Sequence, residues 1–74
     1  MDYRDKKFTL DDGKSYLVIE QVDYDNHTYL YIANPKDENE TRFVEIKDDS
    51  LRDIDPFLFS AIIFPLFIKK FQEY

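Results

Sequence analysis

The sequence predicts an α+β fold: a four-stranded antiparallel meander, open or curled into a half-barrel, followed by one kinked C-terminal helix. Over the first fifty residues, short runs of alternating apolar and polar residues are separated by turn-forming residues, which is typical of antiparallel strands. From Phe57 to Ile68 the chain is a run of Phe, Leu, Ile and Ala that only Ser60 and Pro65 interrupt. A length of 74 residues predicts one small domain, residues 1–74.

Four strands and the turns between them follow from this pattern. Asp12-Gly13 is a strong hairpin signal because both residue types tolerate positive φ angles. Pro35 ends the third strand in a polar loop, and residues 51–54 fit either an edge strand or a 3₁₀ turn. The predicted strands are residues 7–10, 15–22, 27–33 and 41–47.

The C-terminal helix is predicted over residues 56–73. Asp55 suits the N-cap, and Pro56 suits the first helical position because its missing N–H would be unpaired there in any case. Pro65 lies inside the helix, where it removes one backbone hydrogen bond and crowds the preceding turn. We expect a kink at Pro65 rather than a break, because Phe64 would cap a second helix poorly.

One aliphatic face of the sheet is expected to meet one stripe of the helix. Alternation along the strands places eight residues on this face: Phe8, Leu10, Leu17, Ile19, Leu30, Ile32, Val44 and Ile46. Spacings of three and four residues define the expected core-facing stripe of the helix: Phe57, Ala61, Phe64, Ile68 and Phe71.

The helix carries more apolar residues than this sheet face can cover. The surplus residues are Leu58, Phe59, Ile62, Ile63 and Leu66. A helix that is apolar all round must be buried on all sides. Three explanations are open: the strands or loops curl over the surplus, two copies pair through it as a homodimer, or it docks on another protein or a membrane surface. A membrane surface fits least well because the helix has only two lysines to form a basic face.

The opposite sheet face is predicted to be aromatic. It carries Tyr16, Tyr29, Tyr31 and Phe43. Tyrosines on an exposed sheet face are suited to contact with a partner protein. Aromatic residues also stabilise sheets through cross-strand pairs, which is the alternative explanation. Stacking on nucleobases is disfavoured because such sites need basic residues along the nucleic-acid backbone.

Charge and composition exclude several classes of function. The net charge is −6, and residues 15–56 alone carry eleven acidic and four basic side chains, which disfavours nucleic-acid binding. With no cysteine and only His27, disulfides, thiolate chemistry and multi-histidine metal sites are excluded. No serine lies in a nucleophile context, so we expect no enzymatic activity, cofactor, metal or small-molecule substrate. The charged N-terminal sequence and the short apolar run favour a cytoplasmic protein.

Three segments carry a resemblance to a known family. They are residues 8–19 (FTLDDGKSYLVI), 29–31 (YLY) and 42–46 (RFVEI). Together they resemble the YrzB-like proteins, small bacterial proteins of uncharacterised function, over about residues 7–50. The resemblance implies a bacterial or phage cytoplasmic origin and no particular activity. The apolar helix after Asp55 departs from the family pattern.

We therefore expect a small non-enzymatic protein–protein interaction module that self-associates through its C-terminal apolar helix. The expected contact residues are the surplus residues of the helix together with the aromatic face of the sheet. The alternative is an acidic protein that masks a nucleic-acid-binding surface of a host or phage protein, because acidic side chains can occupy a site made for phosphates.

Overall fold

A computed structural model of the chain describes residues 2–73, apart from the side chain of Glu38. It confirms an α+β fold, a curled antiparallel sheet with one C-terminal helix, but the sheet has five strands in the described region rather than four. The strands lie side by side in chain order, each antiparallel to the next. They are β1 (Lys7–Thr9), β2 (Ser15–Tyr24), β3 (His27–Asn34), β4 (Asp37–Lys47) and β5 (Ser50–Asp53).

Tight turns account for both departures from the predicted strands. The expected polar loop after Pro35 is wrong: Asn34 pairs with Asp37, and the Lys36 N–H donates to Asn34 Oδ1 at 2.9 Å. Strand β4 therefore begins at Asp37. The ambiguous residues near Leu51 form β5, because the Asp48-Asp49 turn, like Asp25-Asn26, adopts positive φ at both central positions. That conformation matches the twist of a two-residue hairpin.

A β-bulge in β2 exchanges the faces of the sheet. Val18 pairs with Ile32, but Glu20 pairs with Tyr31, so Ile19 is an extra residue between the two registers. Side chains alternate along a strand, so one inserted residue moves every later side chain to the opposite face. The prediction that Ile19 lies on the buried aliphatic face is wrong, since 43% of its surface is exposed.

Each face of the sheet has its own core. On the concave face, the two edge strands and the N-terminal segment close over the strands between them. We call this cluster the inner core; it consists of Tyr16, Val18, Leu30, Ile32, Val44 and Ile46, with Tyr3, Phe8, Leu10 and Leu51 packed against it. Leu17, which was expected on this face, is half-buried and lies outside the cluster.

The helix packs on the other, aromatic face. We call this cluster the helix core; it consists of Val22, Tyr29, Ile63 and Phe67, with Tyr31, Phe43, Ile54, Leu58, Phe59, Ile62, Leu66 and Phe71 packed against it. The prediction that the helix meets the aliphatic face is therefore wrong. Residues of the sheet edges already fill that concave face, whereas the large rings of the aromatic face offer an open surface for the helix.

The helix is continuous but changes its hydrogen-bond register. It consists of α1 (Pro56–Leu58), a π-helical segment (Phe59–Ile63) and α2 (Phe64–Phe71). Within it the Phe64 N–H donates to the Phe59 carbonyl five residues back, the bond of a π-helix. Pro65 has no N–H and would clash with the carbonyl four residues back in an α-helix. The wider π turn directly before Pro65 makes room for its ring, so the chain stays helical.

Candidate interaction surface

The solvent-facing side of the helix is apolar. We call it the outer helix face; it consists of Phe57, Ala61, Phe64, Pro65 and Ile68. Phe57 exposes 79% of its surface, and Phe64 and Ile68 expose 39% and 37%. Four of these five residues were expected to face the core, and that prediction is wrong. Large exposed apolar side chains on one side of one element are typical of a contact site rather than of scattered surface residues.

Charge is absent from this face and concentrated at its two ends. From Pro56 to Ile68 the chain has no charged residue. Asp55, which is exposed, accepts the Leu58 N–H at 2.9 Å and caps the helix. Exposed Lys69 and Lys70 follow Ile68 in the last turn. The only side-chain hydroxyl within the interval, on Ser60, donates to the Phe57 carbonyl at 3.3 Å and is satisfied inside the helix.

Aromatic rings beneath the outer helix face hold Phe64 in place. The Phe43 ring lies edge-on to Phe64 with centroids 5.9 Å apart, and it also contacts Phe59 and Phe67 at 5.0 Å each. The Phe59 and Phe64 centroids are 5.4 Å apart. Such contacts restrict the rotation of a side chain before any partner arrives, which lowers the entropy cost of binding.

A shallow apolar groove adjoins this face. It lies between the start of the helix and the sheet, where Phe43 of β4 and the end of β5 meet it, and it is lined by Phe43, Asp53, Ile54, Pro56 and Phe59. Because Phe43 and Phe59 both contact Phe64, the groove and the outer helix face form one continuous surface.

The residues expected from the sequence to contact a partner lie largely inside the molecule. Ile63, Tyr16 and Tyr29 are buried. The others are half-buried, and all of them pack in the helix core: Leu58, Phe59, Ile62, Leu66, Tyr31 and Phe43. Most of the surplus residues of the helix are thus covered by the chain's own sheet. The exposed apolar side of the helix is the side that was predicted to face the core.

One sequence signal could have identified the exposed side. The row Phe59, Ile63, Phe67 and Phe71 stays apolar to the end of the helix. The row through Phe64 and Ile68 continues at Gln72, a polar residue four positions on and therefore on the same side. Polar continuation of a helical row marks the side that faces solvent.

The polar side chains show hydrogen bonding of ordinary structural kinds. His27 Nδ1 lies 2.9 Å from Glu45 Oε2 on the surface, and Asp23 accepts the Thr28 hydroxyl at 2.8 Å. Asp12 accepts the Lys14 N–H and the Tyr16 hydroxyl, and these bonds hold its pKa below the usual range. Within residues 2–73, Glu38 side chain aside, no group of three acidic or histidine side chains is placed to hold a metal ion.

No helix in the described part of the chain has the length and apolar character needed to cross a bilayer. Comparisons of the chain with protein-family models, curated proteins and solved structures found no match. The resemblance to the YrzB-like proteins therefore stays a prediction.

Proposed function

We propose that this protein is a small non-enzymatic interaction module that self-associates through the outer helix face. The observation that carries the proposal is the exposure of Phe57, Phe64 and Ile68 on one side of an otherwise packed helix. Burying such side chains against a partner is favourable, by about 25 cal/mol for each Å² of apolar surface removed from water.

A second copy suits this surface because of the charge distribution. The molecule carries a net charge of −6, so two copies repel one another over most of their surfaces. The interval from Pro56 to Ile68 is the longest uncharged stretch of the sequence, so two copies that meet there place no charged residue of the interval within the contact. A two-fold dimer needs one self-complementary surface, which a single uncharged helix face supplies.

The size of the surface predicts a weak dimer. Thirteen helical residues span about 20 Å, and a helix is about 10 Å wide. Stable complexes bury about 800 Å² on each partner, more than one helix face provides, so the adjoining groove at Phe43 and Ile54 must contribute. We expect a dissociation constant of about 1–100 µM.

Sedimentation velocity over a range of concentrations tests the proposal. The wild type should shift from monomer to dimer, and Phe57→Glu and Ile68→Glu should remain monomeric, because each buries an unpaired charge in the interface. Ile19→Glu is the matched control: Ile19 is 43% exposed, lies outside the outer helix face, and its substitution makes the same change in charge. A folded wild type that is monomeric up to about 300 µM, well above the expected range, contradicts self-association.

A second candidate function is supported by the groove between the two edge strands. Four aspartates line it, Asp11, Asp12, Asp49 and Asp53, against two arginines, Arg42 and Arg52. Its apolar floor includes Phe8, Leu10 and Leu51. An acidic groove of this kind fits a basic segment of a nucleic-acid-binding protein and would mask its nucleic-acid surface.

Competition tests this second candidate. A basic DNA-binding domain bound to a fluorescent DNA duplex is titrated with the protein at low and at high salt. Displacement of DNA at low salt that disappears at high salt supports masking. Absence of displacement counts against it, as does equal displacement by the Asp11→Asn, Asp49→Asn, Asp53→Asn triple variant.

A further inference from the structure

The self-association proposed above leaves the relative direction of the two helices open, and the charges at the helix ends decide it. We propose that two copies pair with their helices antiparallel, so that the lysine end of each helix, Lys69 with Lys70 beside it, lies next to Asp53 and Asp55 of the other copy. The two-fold axis crosses the helices between Ala61 and Phe64. This inference rests on the proposed function and adds the geometry and ionic control of the same surface.

The first argument is the position of the charges. The outer helix face is bounded by exposed Asp53 and Asp55 at its start and by exposed Lys69 and Lys70 at its end. In an antiparallel pair centred on the uncharged interval, Asp55 of one copy lies level with Lys70 of the other. A parallel pair instead brings aspartates to aspartates and lysines to lysines. Opposite charges at both ends therefore favour the antiparallel arrangement.

The second argument is the match of side-chain sizes. The same antiparallel register sets Phe57 opposite Ile68 and Phe64 opposite Ala61. A large ring over a small residue lets the two helices approach at about 8–10 Å. A parallel register sets Phe57 against Phe57, Phe64 against Phe64 and Ala61 against Ala61, so large rings meet large rings and the small residues meet one another.

The third argument is the helix dipole. The N-terminus of a helix carries partial positive charge and the C-terminus partial negative charge. Antiparallel helices place these ends beside their opposites. The effect is small at an exposed site, but it acts in the same direction as the side-chain charges.

Lys69 and Lys70 have a second set of neighbours within their own copy. Both line a groove with Asp23 and Glu73 between the helix and β2, and Lys70 also lines a neighbouring groove with Asp2, Glu20 and Asp23. Successive residues are 100° apart around a helix, so Lys69 flanks the outer helix face whereas Lys70 lies on the side toward β2. Both side chains are exposed, and among the described residues neither is in an ion pair, so Lys69 can contact a second copy directly and Lys70 adds to the positive charge of that helix end.

A distance measurement tests the direction of the helices. The chain has no cysteine, so Gln72→Cys provides a single attachment point for a spin label just beyond the interface. In the antiparallel dimer the two Gln72 positions are about 30 Å apart, from a rise of 1.5 Å per residue on each side of the axis. In a parallel dimer they are about 10 Å apart, the spacing of packed helices.

Charge reversal tests the ionic contacts independently. Lys69→Glu/Lys70→Glu should weaken dimerisation by roughly tenfold, since several exposed ion pairs each contribute a few-fold. Lys6→Glu/Lys7→Glu is the matched control, because it reverses an adjacent exposed lysine pair outside the interface and gives the same net charge. In a parallel dimer, Lys69→Glu/Lys70→Glu would replace a lysine–lysine contact by a glutamate–glutamate contact. Its dissociation constant should then equal that of the control variant.

The outcomes separate the two proposals. A dimer with a label distance near 30 Å and selective weakening by the helix variant supports the antiparallel arrangement. A dimer with a distance near 10 Å, or equal weakening by both double variants, overturns it while self-association stands. A folded monomer at every concentration overturns the proposed function itself.

Discussion

Tyr16 illustrates how a single residue supports the fold. Its side chain is buried in the inner core, yet its hydroxyl donates to Asp12 Oδ2 at 3.1 Å in the turn between β1 and β2. The Arg42 guanidinium lies 6.0 Å from the ring centroid. Burial, and next the bond to Asp12, raises the pKa of Tyr16. Burial, with Glu45 and Asp25 nearby, raises the pKa of Tyr29 in the same direction.

These raised pKa values predict loss of stability in alkali. Below pH about 10 a tyrosine is neutral in both the folded and the unfolded chain, so its ionisation does not affect stability. Above that pH the unfolded chain releases the proton first, and folding stability falls as pH rises through the folded-state pKa values of Tyr16 and Tyr29.

Titration of tyrosine absorbance, with circular dichroism in parallel, measures this effect. We expect some phenols of the native protein to ionise only as the fold is lost. The double variant Tyr16→Phe, Tyr29→Phe should unfold at a higher pH than either single variant, Tyr16→Phe or Tyr29→Phe. Ionisation of all six tyrosines in one step near pH 10, with the fold intact, would contradict the prediction.

At the scale of the element, the helix shows why an all-apolar sequence does not identify its own buried side. Residues four apart drift by about 40° per turn in an ideal α-helix, so the row from Phe59 to Phe71 does not read as one straight stripe. The π-helical segment at Phe59–Ile63 offsets part of that drift and keeps the row facing the sheet. The location of the π-helical segment depends on Pro65 and on packing of the helix against the sheet. A sequence pattern based on 3.6 residues per turn therefore does not predict it.

Two phenylalanines of the helix provide a direct comparison. Phe67→Ala should lower the free energy of unfolding by about 3–5 kcal/mol, because Phe67 is fully buried and its removal leaves a cavity. Phe57→Ala should change it by less than about 0.5 kcal/mol in the monomer, since Phe57 is largely exposed.

Urea denaturation measures both free energies of unfolding, at a protein concentration well below the dissociation constant of the proposed dimer. The two variants make the same chemical change in the same helix, so the difference between their effects mainly reports the difference in burial. Equal destabilisation by the two substitutions would mean that the outer helix face is not a solvent-facing surface.

The sheet was more predictable than the helix because its turns have local signatures. Asp12-Gly13 predicted the first hairpin, and Gly13 does adopt a positive φ of 78°. The bulge at Ile19 has no such signature, since it depends on how β2 pairs with β3. That one residue decides which face carries Tyr16 and Val18. The sequence therefore indicated an excess of apolar residues on the helix, but which of them are exposed depended on tertiary packing.

For the whole molecule, the two cores explain how a short chain without disulfides can fold. A single sheet of five strands separates the inner core from the helix core, so both of its faces are buried over much of their area. Small domains commonly need disulfides, a metal or a partner for stability. Here the curl of the sheet supplies one core, the helix supplies the other, and the outer helix face stays exposed.

The proposed dimerisation predicts that the thermal stability depends on protein concentration. A ligand that binds only the folded state stabilises it by mass action, and a second copy acts in the same way. Above the dissociation constant we expect the Tm to rise by roughly 3–6 °C for each tenfold increase in concentration. Differential scanning calorimetry of the wild type and of Phe57→Glu measures this dependence. A wild-type Tm as independent of concentration as that of the variant would argue for a monomer.

The order of the elements along the chain has a consequence for biosynthesis. The helix follows all five strands, and its buried row packs on the face formed by β2, β3 and β4. The ribosome synthesises the chain from the N-terminus, so the strands are made before the helix. The most apolar segment is thus translated after the sheet face that covers its buried row. This order shortens the time for which the segment is exposed on a nascent chain to chaperones or to other nascent chains.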